Sequence, residues 1–292
     1  MPDATVVIAT RDRADLLRAS LARLATQSAG GRFDVIVADN GSTDDTAAVI
    51  RAAAPLVRGV YVAEPNRGKA RNAGIAAADG RIVVFCDDDT LPPERFVEAH
   101  LDAHGDAADR VVSGPIVNVA DAAHLLPVSA ANYSRAFFCT CNASAPKAAL
   151  DAVGGFDEKF DLYGWEDTDL GVRLRAHGLK RAFAWDAYIY HVKPPSSMTL
   201  ARRVALAKEK GEMAARFVRK SPTWPVKLAT GAYAANFARA ALVGAPPLRR
   251  LYERFAAADG ASASGLARVA SEALADAAYI DALRAALRRA DG

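Results

Sequence analysis

Three consecutive carboxylates, Asp87, Asp88 and Asp89, follow the apolar run of residues 82–85 in the stretch RIVVFCDDDTLPPER. A run so rich in β-branched side chains predicts a strand buried on both faces. Carboxylates gathered where such a strand emerges repel one another, a cost that a cation relieves. A hard divalent ion shared between carboxylate and diphosphate oxygens is the chemistry that suits them. One aspartate would be enough to cap the helix that Pro92 and Pro93 predict just downstream, whereas three favour a site.

Other polar groups fall at equivalent places. Strand-like runs at 5–9, 33–38 and 60–63 lead respectively into Thr10-Arg11-Asp12-Arg13, the octet DNGSTDDT from Asp39 to Thr46, and Asn66-Arg67-Gly68-Lys69. Leu17, Leu21 and Leu24 recur at helical spacing, and a second helix carries Ala70-Arg71-Asn72-Ala73-Gly74. Strands and helices in alternation predict βαβ units and a mainly parallel sheet, so the fold class is α/β. Ligands of such sheets bind at the carboxyl ends of the strands, where Arg11, Asp39, Asn66 and the aspartate run all fall.

The second half carries its own candidates. Residues 119–140 have no clear period, and residues 146–153 predict a short helix ended by Gly154-Gly155. Trp165-Glu166-Asp167 opens a helix that Gly178 caps. Acidic residues in a first turn are favoured by the helix dipole alone, so capping explains Glu166, Asp167 and Asp169 as well as chemistry does. His191 closes the β-rich run 183–190. It reads equally as a structural histidine or as a ligand completing an acidic metal site.

Taken together, these motifs resemble glycosyltransferase family 2, whose fold is GT-A. The carrying residues are Thr10-Arg-Asp-Arg13, Ala38-Asp-Asn-Gly-Ser-Thr-Asp44, Asn66-Arg-Gly68 with Ala70-Arg-Asn72, and the run 87–89. The second half adds Cys141-Asn-Ala143, Gly154-Gly-Phe-Asp-Glu158 and Gly164-Trp-Glu-Asp-Thr-Asp-Leu-Gly171. The resemblance covers about residues 4–195 and implies a Rossmann-type sheet with flanking helices. It implies an inverting transfer of a sugar from a nucleotide-sugar donor to an acceptor hydroxyl on a glycan or a lipid-linked glycan. Asp87 and Asp89 match the DxD aspartates, the first meeting ribose or metal-bound water and the second Mg²⁺ or Mn²⁺ directly, with His191 completing the shell. Thr10, Arg11, Arg13 and Asp39 would grip base and ribose, joined on the donor side by Asn66 and Asp88, while Arg71 steadies the diphosphate. Asp167 matches the base and Glu166 would orient the acceptor.

Two other classes fit less well. A sugar-1-phosphate nucleotidyltransferase would place a glycine-rich phosphate loop after the first strand, and TRDR has no glycine. A non-catalytic nucleotide-sugar-binding protein would have lost the aspartates or Asp167, and none is missing.

The 292 residues suffice for one large α/β domain with an appendage. The expected division is 1–195 catalytic (1–118 for the nucleotide sugar, 119–195 for the acceptor) and 196–292 a helical extension. Charge divides in the same sense: residues 201–292 hold 16 Lys and Arg against 8 Asp and Glu, the first 200 hold 21 against 26. A net charge of +3 gives no argument for nucleic acid. The basic tail reads as Ala/Arg-rich helices over 201–220 and 224–243, a break over 256–265, and one apolar stripe through Leu266, Val269, Ala273, Ala277, Ile280, Leu283 and Leu287. That stripe predicts packing on the catalytic domain or a second copy, and the basic helices leave peripheral contact with a membrane open. Three cysteines without zinc spacing read as reduced thiols. With no leader-like N-terminus and no long apolar run, the expected location is cytoplasmic, with room for attachment to the inner face of the membrane.

Overall fold

The computed structural model describes residues 1–193, 198–257 and 265–289. In chain order β1 (Ala4–Thr10), α1 (Ala14–Leu24), β2 (Phe33–Asp39), α2 (Thr46–Ala52), β3 (Val57–Tyr61), α3 (Arg67–Ala77) and β4 (Ile82–Cys86) alternate as the spacing predicts. There follow β5 (Thr90–Leu91), α4 (Phe96–His104), β6 (Arg110–Ser113), β7 (Ile116–Val119), β8 (Asn142–Pro146), α5 (Lys147–Ala152), α6 (Glu166–Ala176), β9 (Lys180–Phe183) and β10 (Ile189–Val192). Seven strands form one sheet in the order β3-β2-β1-β4-β8-β6-β9, and β5-β10-β7 form a second, smaller one. The large sheet is parallel except for β8, which runs antiparallel to both β4 and β6.

Alternation along the strands explains why this sheet is covered on both sides. Val6, Ile8, Val35, Val37 and Val84 face one apolar cluster with Leu17, Leu21, Leu24 and Phe96. Val7, Ile36, Val83 and Phe85 face the other, with Ile75, Leu150, Leu170 and Leu174. Each such leucine, fully buried, contributes about 1.5–3 kcal/mol. Helix α3 reaches its strand so closely that a Cβ on Gly74 would come 2.4 Å from a Val7 methyl carbon, which explains the glycine of the ARNAG stretch.

The chain divides into two compact units, Met1–Asp161 with Glu166–Ser196, and Leu162–Trp165 with Ser197–Gly292. The second is helical: α7 (Leu200–Lys220), α8 (Trp224–Thr230), α9 (Ala234–Val243), α10 (Pro246–Ala257) and α11 (Gly265–Arg288). Of the unit's helices, α7 and α11 pack closest, and a Cβ on Gly211 would stand 2.3 Å from the Tyr279 carbonyl oxygen. Among the described residues no helix is long and apolar enough to cross a membrane.

Several expectations are corrected. The helix expected from Pro92 and Pro93 begins only at Phe96, because Thr90 and Leu91 are drawn into the small sheet by β10. The third strand lies at 57–61 rather than 60–63, set by its pairing with β2. The run 183–190 is the end of one strand, a turn and the start of another strand in a different sheet, and His191 sits inside that second strand rather than after it. The expected helix 224–243 breaks at Gly231, whose φ of 74° is left-handed. The expected stripe of α11 is rotated in its first half: Leu266 and Val269 are exposed, while Ala267, Ala270, Leu274 and Ala278 are buried. Ala270 and Leu274 face inward there because they pack with Ala256, Leu200 and Tyr252. The Pro194-Pro195 boundary and most of the expected break, 258–264, lie outside the described residues.

Candidate functional site

The aspartates leave β4 pointing to different partners. Asp88 is buried, and its oxygens accept from the Thr10 hydroxyl at 2.8 Å and from Arg13 Nη1 at 2.9 Å. Arg13 Nη1 also donates to Asp89 Oδ2 at 3.1 Å. Asp87 Oδ1 accepts from Arg71 Nη2 at 3.4 Å, and its backbone carbonyl accepts from the Thr90 hydroxyl at 2.7 Å. The cation expected to relieve three adjacent carboxylates is thus, in this structure, a pair of arginines. Charge repulsion alone therefore does not demand a metal here.

A stronger argument for one lies at Asp89. Its Oδ1 stands 3.2 Å from His191 Nε2 and, that approach aside, takes no hydrogen bond although it is buried. The strand pairing sets this contact: His191 lies opposite Thr90 in the register, and the Val192 amide donates to the Asp89 carbonyl at 2.8 Å. Burial works against the Asp89 charge, yet the neighbouring His191 and Arg13 outweigh it and hold the carboxyl below the usual range. An anionic oxygen and an imidazole nitrogen aimed at one point suit a divalent ion of the Mg²⁺ or Mn²⁺ kind. Among the described residues no group of three or more His, Cys, Asp or Glu could hold a metal ion. Such an ion would need further oxygens from a ligand, as a diphosphate supplies.

Arg71 joins this edge to the second acidic pair. It is buried on α3, with its guanidinium carbon 5.6 Å from the centroid of the Phe156 ring, and Nη1 donates to Glu166 Oε1 at 3.2 Å. Asp167 follows on the first turn of α6, half-buried, with Oδ1 accepting from the Thr168 amide at 2.7 Å. Burial first, and the Glu166 carboxylate second, push the Asp167 carboxyl up to about 6 despite the opposing charge of Arg71. At neutral pH such a group is ionised yet basic enough to take a proton.

The remaining candidates serve the loops or stand apart. Asn66 caps α3, its Oδ1 accepting from the Lys69 amide at 2.9 Å while its Nδ2 donates to the Glu158 carbonyl at 2.7 Å. Asp39 is buried at the end of β2, where it accepts from the Ser42 amide at 2.9 Å. Arg11 is exposed beside Asp12. The structure therefore forms two clusters joined through the aspartate run: Arg13 with Asp88 and Asp89, which also meet Thr10 and His191 respectively, and Arg71 with Asp87 and Glu166. What the sequence reading missed is the role of Arg13 and Arg71 as counter-ions, because their carboxylate partners lie 75 and 16 residues away in the chain. Cys86, Cys139 and Cys141 are unpaired, and burial pushes each thiol upward, Cys139 to about 12, so they remain neutral.

Comparison with known proteins supplies independent findings. The profile described as Glycosyl transferase family 2 matches residues 5–154, and that of the N-terminal domain of galactosyltransferase matches residues 124–195. The validoxylamine A glucosyltransferase of Streptomyces hygroscopicus subsp. jinggangensis (strain 5008) is 31% identical over 266 residues, covering 76% of this chain and 62% of the relative. This chain thus spans about three fifths of the length of the two validoxylamine A glucosyltransferases it matches. Among solved structures, the mannosyltransferase PcManGT from Pyrobaculum calidifontis, in complex with GDP-Man and Mn2+, superposes with a TM-score of 0.64 at 21% identity, covering 100% of this chain and 88% of that one. S. aureus TarS 1-349 in complex with UDP gives 0.56 at 17% identity, covering 100% and 91%. At these identities the likeness to both structures is one of fold.

Proposed function

Because the chain belongs to glycosyl transferase family 2, we propose that it moves a sugar from a nucleoside-diphosphate donor to an acceptor hydroxyl in a single, inverting, metal-assisted displacement. The observation that carries this reading is the double engagement of Arg71. One guanidinium is bonded to Asp87 at the donor edge and to Glu166 beside the candidate base. A diphosphate drawn to that guanidinium meets the same cation that orders the acid pair, so leaving group and base are addressed by one residue.

Asp167 takes the proton of the attacking hydroxyl, and its raised pKa supports that role. Glu166, tied to Arg71, orients the acceptor. Asp89 and His191 would hold the Mg²⁺ or Mn²⁺. A divalent ion there stabilises the charge that develops on the departing diphosphate. Thr10, Arg11, Arg13 and Asp39, at the ends of the first two strands and in the loop after the first, hold the nucleoside end. Complexes of the same fold with GDP-Man and Mn2+, and with UDP, support a nucleoside-diphosphate donor and a metal. The acceptor is a glycan or a lipid-linked glycan. Exposed Trp224 and Leu228 on α8, and Leu248, Leu251 and Phe255 on α10, with Lys227, Arg249, Arg250 and Arg254 among them, support peripheral contact with anionic lipid. Failure of the full chain to pellet with anionic liposomes at low salt would rule that contact out.

The test of the reaction is a panel of nucleotide sugars and saccharide acceptors, with and without Mn²⁺ or Mg²⁺, scored by released nucleoside diphosphate and by the anomeric configuration of the product. Metal-dependent release with inverted product is expected. Retention of configuration would overturn the single displacement, and release indifferent to metal would overturn the role of Asp89 and His191.

A further inference from the structure

Behind the carboxylate edge runs a chain of buried polar groups that the reaction itself does not use. Asn142 on β8 lies opposite Cys86 in the register, one residue before the aspartate run. It is 1% exposed, and its Nδ2 donates to two backbone carbonyls, Pro115 at 3.0 Å and Ala187 at 2.8 Å. Carbonyl oxygens only accept, so the orientation of this amide is determined, and its Oδ1 must be the atom facing His100 Nε2 at 3.0 Å. His100 therefore carries its proton on Nε2, and its Nδ1 accepts from the Ser144 hydroxyl at 2.8 Å. With that hydroxyl proton spent, Ser144 Oγ accepts from His104 Nε2, also at 2.8 Å. Every donor in the chain points one way, from α4 through β8 to the two carbonyls.

Those carbonyls stand where the small sheet begins. Pro115 immediately precedes β7 and also accepts from the Ile189 amide, the first residue of β10, at 2.9 Å. Ala187 lies two residues before β10. One side chain on the large sheet thus grips both chain segments that launch the strands of the small one. The groups that meet at the candidate metal position sit on neighbouring strands: Asp89 follows β4 and leads directly into β5, which pairs with β10, where His191 lies. Their 3.2 Å approach follows the pairing of β5 with β10, and Asn142 holds both sides of that arrangement, opposite Cys86 three residues before Asp89 and bonded to Ala187 four residues before His191. Burial lowers the histidines, His100 to about 3 and His104 to about 4, so both stay neutral under ordinary conditions and the direction of the chain is preserved.

We propose that Asn142, oriented by His100, is a positioning residue for metal binding, holding β10 so that His191 faces Asp89. This rests on the reading of Asp89 and His191 as the groups that hold the ion. A group bonded directly to a metal ligand changes affinity by about 10–100-fold when lost, and Asn142, acting through the backbone that leads into β10, falls at the low end of that range. Asn142→Asp keeps the shape but replaces two donors by an acceptor facing two carbonyls.

The experiment titrates Mn²⁺ into the full chain with saturating UDP or GDP, following the free ion by electron paramagnetic resonance against a protein-free nucleotide control, with UDP and GDP affinity measured separately without metal. Asn142→Asp should bind Mn²⁺ about 10-fold or more weakly, with metal-free nucleotide affinity within about twofold of wild type. A core control, Leu24→Ala, loses stability without touching the chain of groups and should keep wild-type Mn²⁺ affinity. Should Asn142→Asp not fold, the pair His100→Gln and His100→Leu decides: glutamine retains an N–H for Asn142, leucine does not, and only leucine should weaken Mn²⁺. Unchanged affinity in a folded Asn142→Asp, or equal affinities in the histidine pair, would overturn the positioning role while leaving the metal site standing. Absence of Mn²⁺ binding by the wild-type chain with either nucleotide, beyond the nucleotide-only control, would overturn the metal site and this inference with it.

Discussion

The carboxylate edge and the His100–Asn142 chain are both polar, both largely buried and both attached to the central sheet, yet they handle charge in opposite ways. At the edge, Asp88 and Asp89 face Arg13, and Asp87 and Glu166 face Arg71, so charge is kept and balanced. Along the chain behind it no charge is kept: two neutral imidazoles, a hydroxyl and an amide are bonded to one another and to two carbonyls, with His104 Nδ1 the one nitrogen left without a partner among the described residues. A buried ion costs several kcal/mol unless paired, whereas a neutral group costs little once hydrogen-bonded. The difference teaches where to look for chemistry. At the edge charge is retained where a ligand can use it, and along the chain behind it positioning is left to groups that give up none of their stability to ionisation.

The comparison is broken most sharply at Asp167. If the edge holds charge for use, Asp167→Asn should lower turnover by about 10²–10⁴-fold with donor affinity nearly unchanged. In the wild-type enzyme turnover should fall as pH drops through about 6, because protonation removes the base. Near-normal turnover in steady-state assays of that variant would move the role to another carboxylate.

A smaller effect is expected at the metal position. Asp89→Ala should weaken Mn²⁺-dependent donor binding by about 100-fold, and His191→Ala by about 10-fold, both read by calorimetry with and without metal. An Asp89→Ala variant that binds donor normally in Mn²⁺ would reduce Asp89 to a partner of Arg13.

The smallest effect has the opposite sign. The folded-state pKa of Asp167 is raised above its ordinary value of 3.8, so the native state holds the proton more tightly and loses stability as pH rises toward and through about 6. Asp167→Asn removes that loss. The variant should be more stable than wild type by about 1–2 kcal/mol at pH 8, discounted for partial exposure, and no more stable at pH 4. Equal denaturant midpoints at pH 8 would mean that charge at the edge is held without cost, and the contrast with the neutral chain would disappear.

Much of the frame was legible from residue order. Apolar β-branched runs followed by polar loops predict β1, β2 and β4, since a strand buried on both faces needs an unbroken run whatever its neighbours do. The strands β6, β7 and β8 were not legible, because runs of four or five residues owe their conformation to pairing across the sheet more than to their own composition. The same holds for the break at Gly231, where a glycine inside an alanine-rich stretch looks like an interruption a helix could absorb.

By itself, then, the sequence determined that carboxylates would emerge at the end of a buried strand, that Arg71 would follow the third strand on a helix, and that Glu166 and Asp167 would open another. These depend on periodicity and on neighbours within a few residues. Only the tertiary structure decided what each carboxylate does. Asp88 turns inward to Thr10 and Arg13, Asp87 turns to Arg71, and Asp89 meets a histidine on β10, the strand that pairs with β5. Three adjacent aspartates are chemically identical in the chain. What separates them is which long-range partner each direction along the backbone happens to face, and that is set by strand register rather than by local sequence.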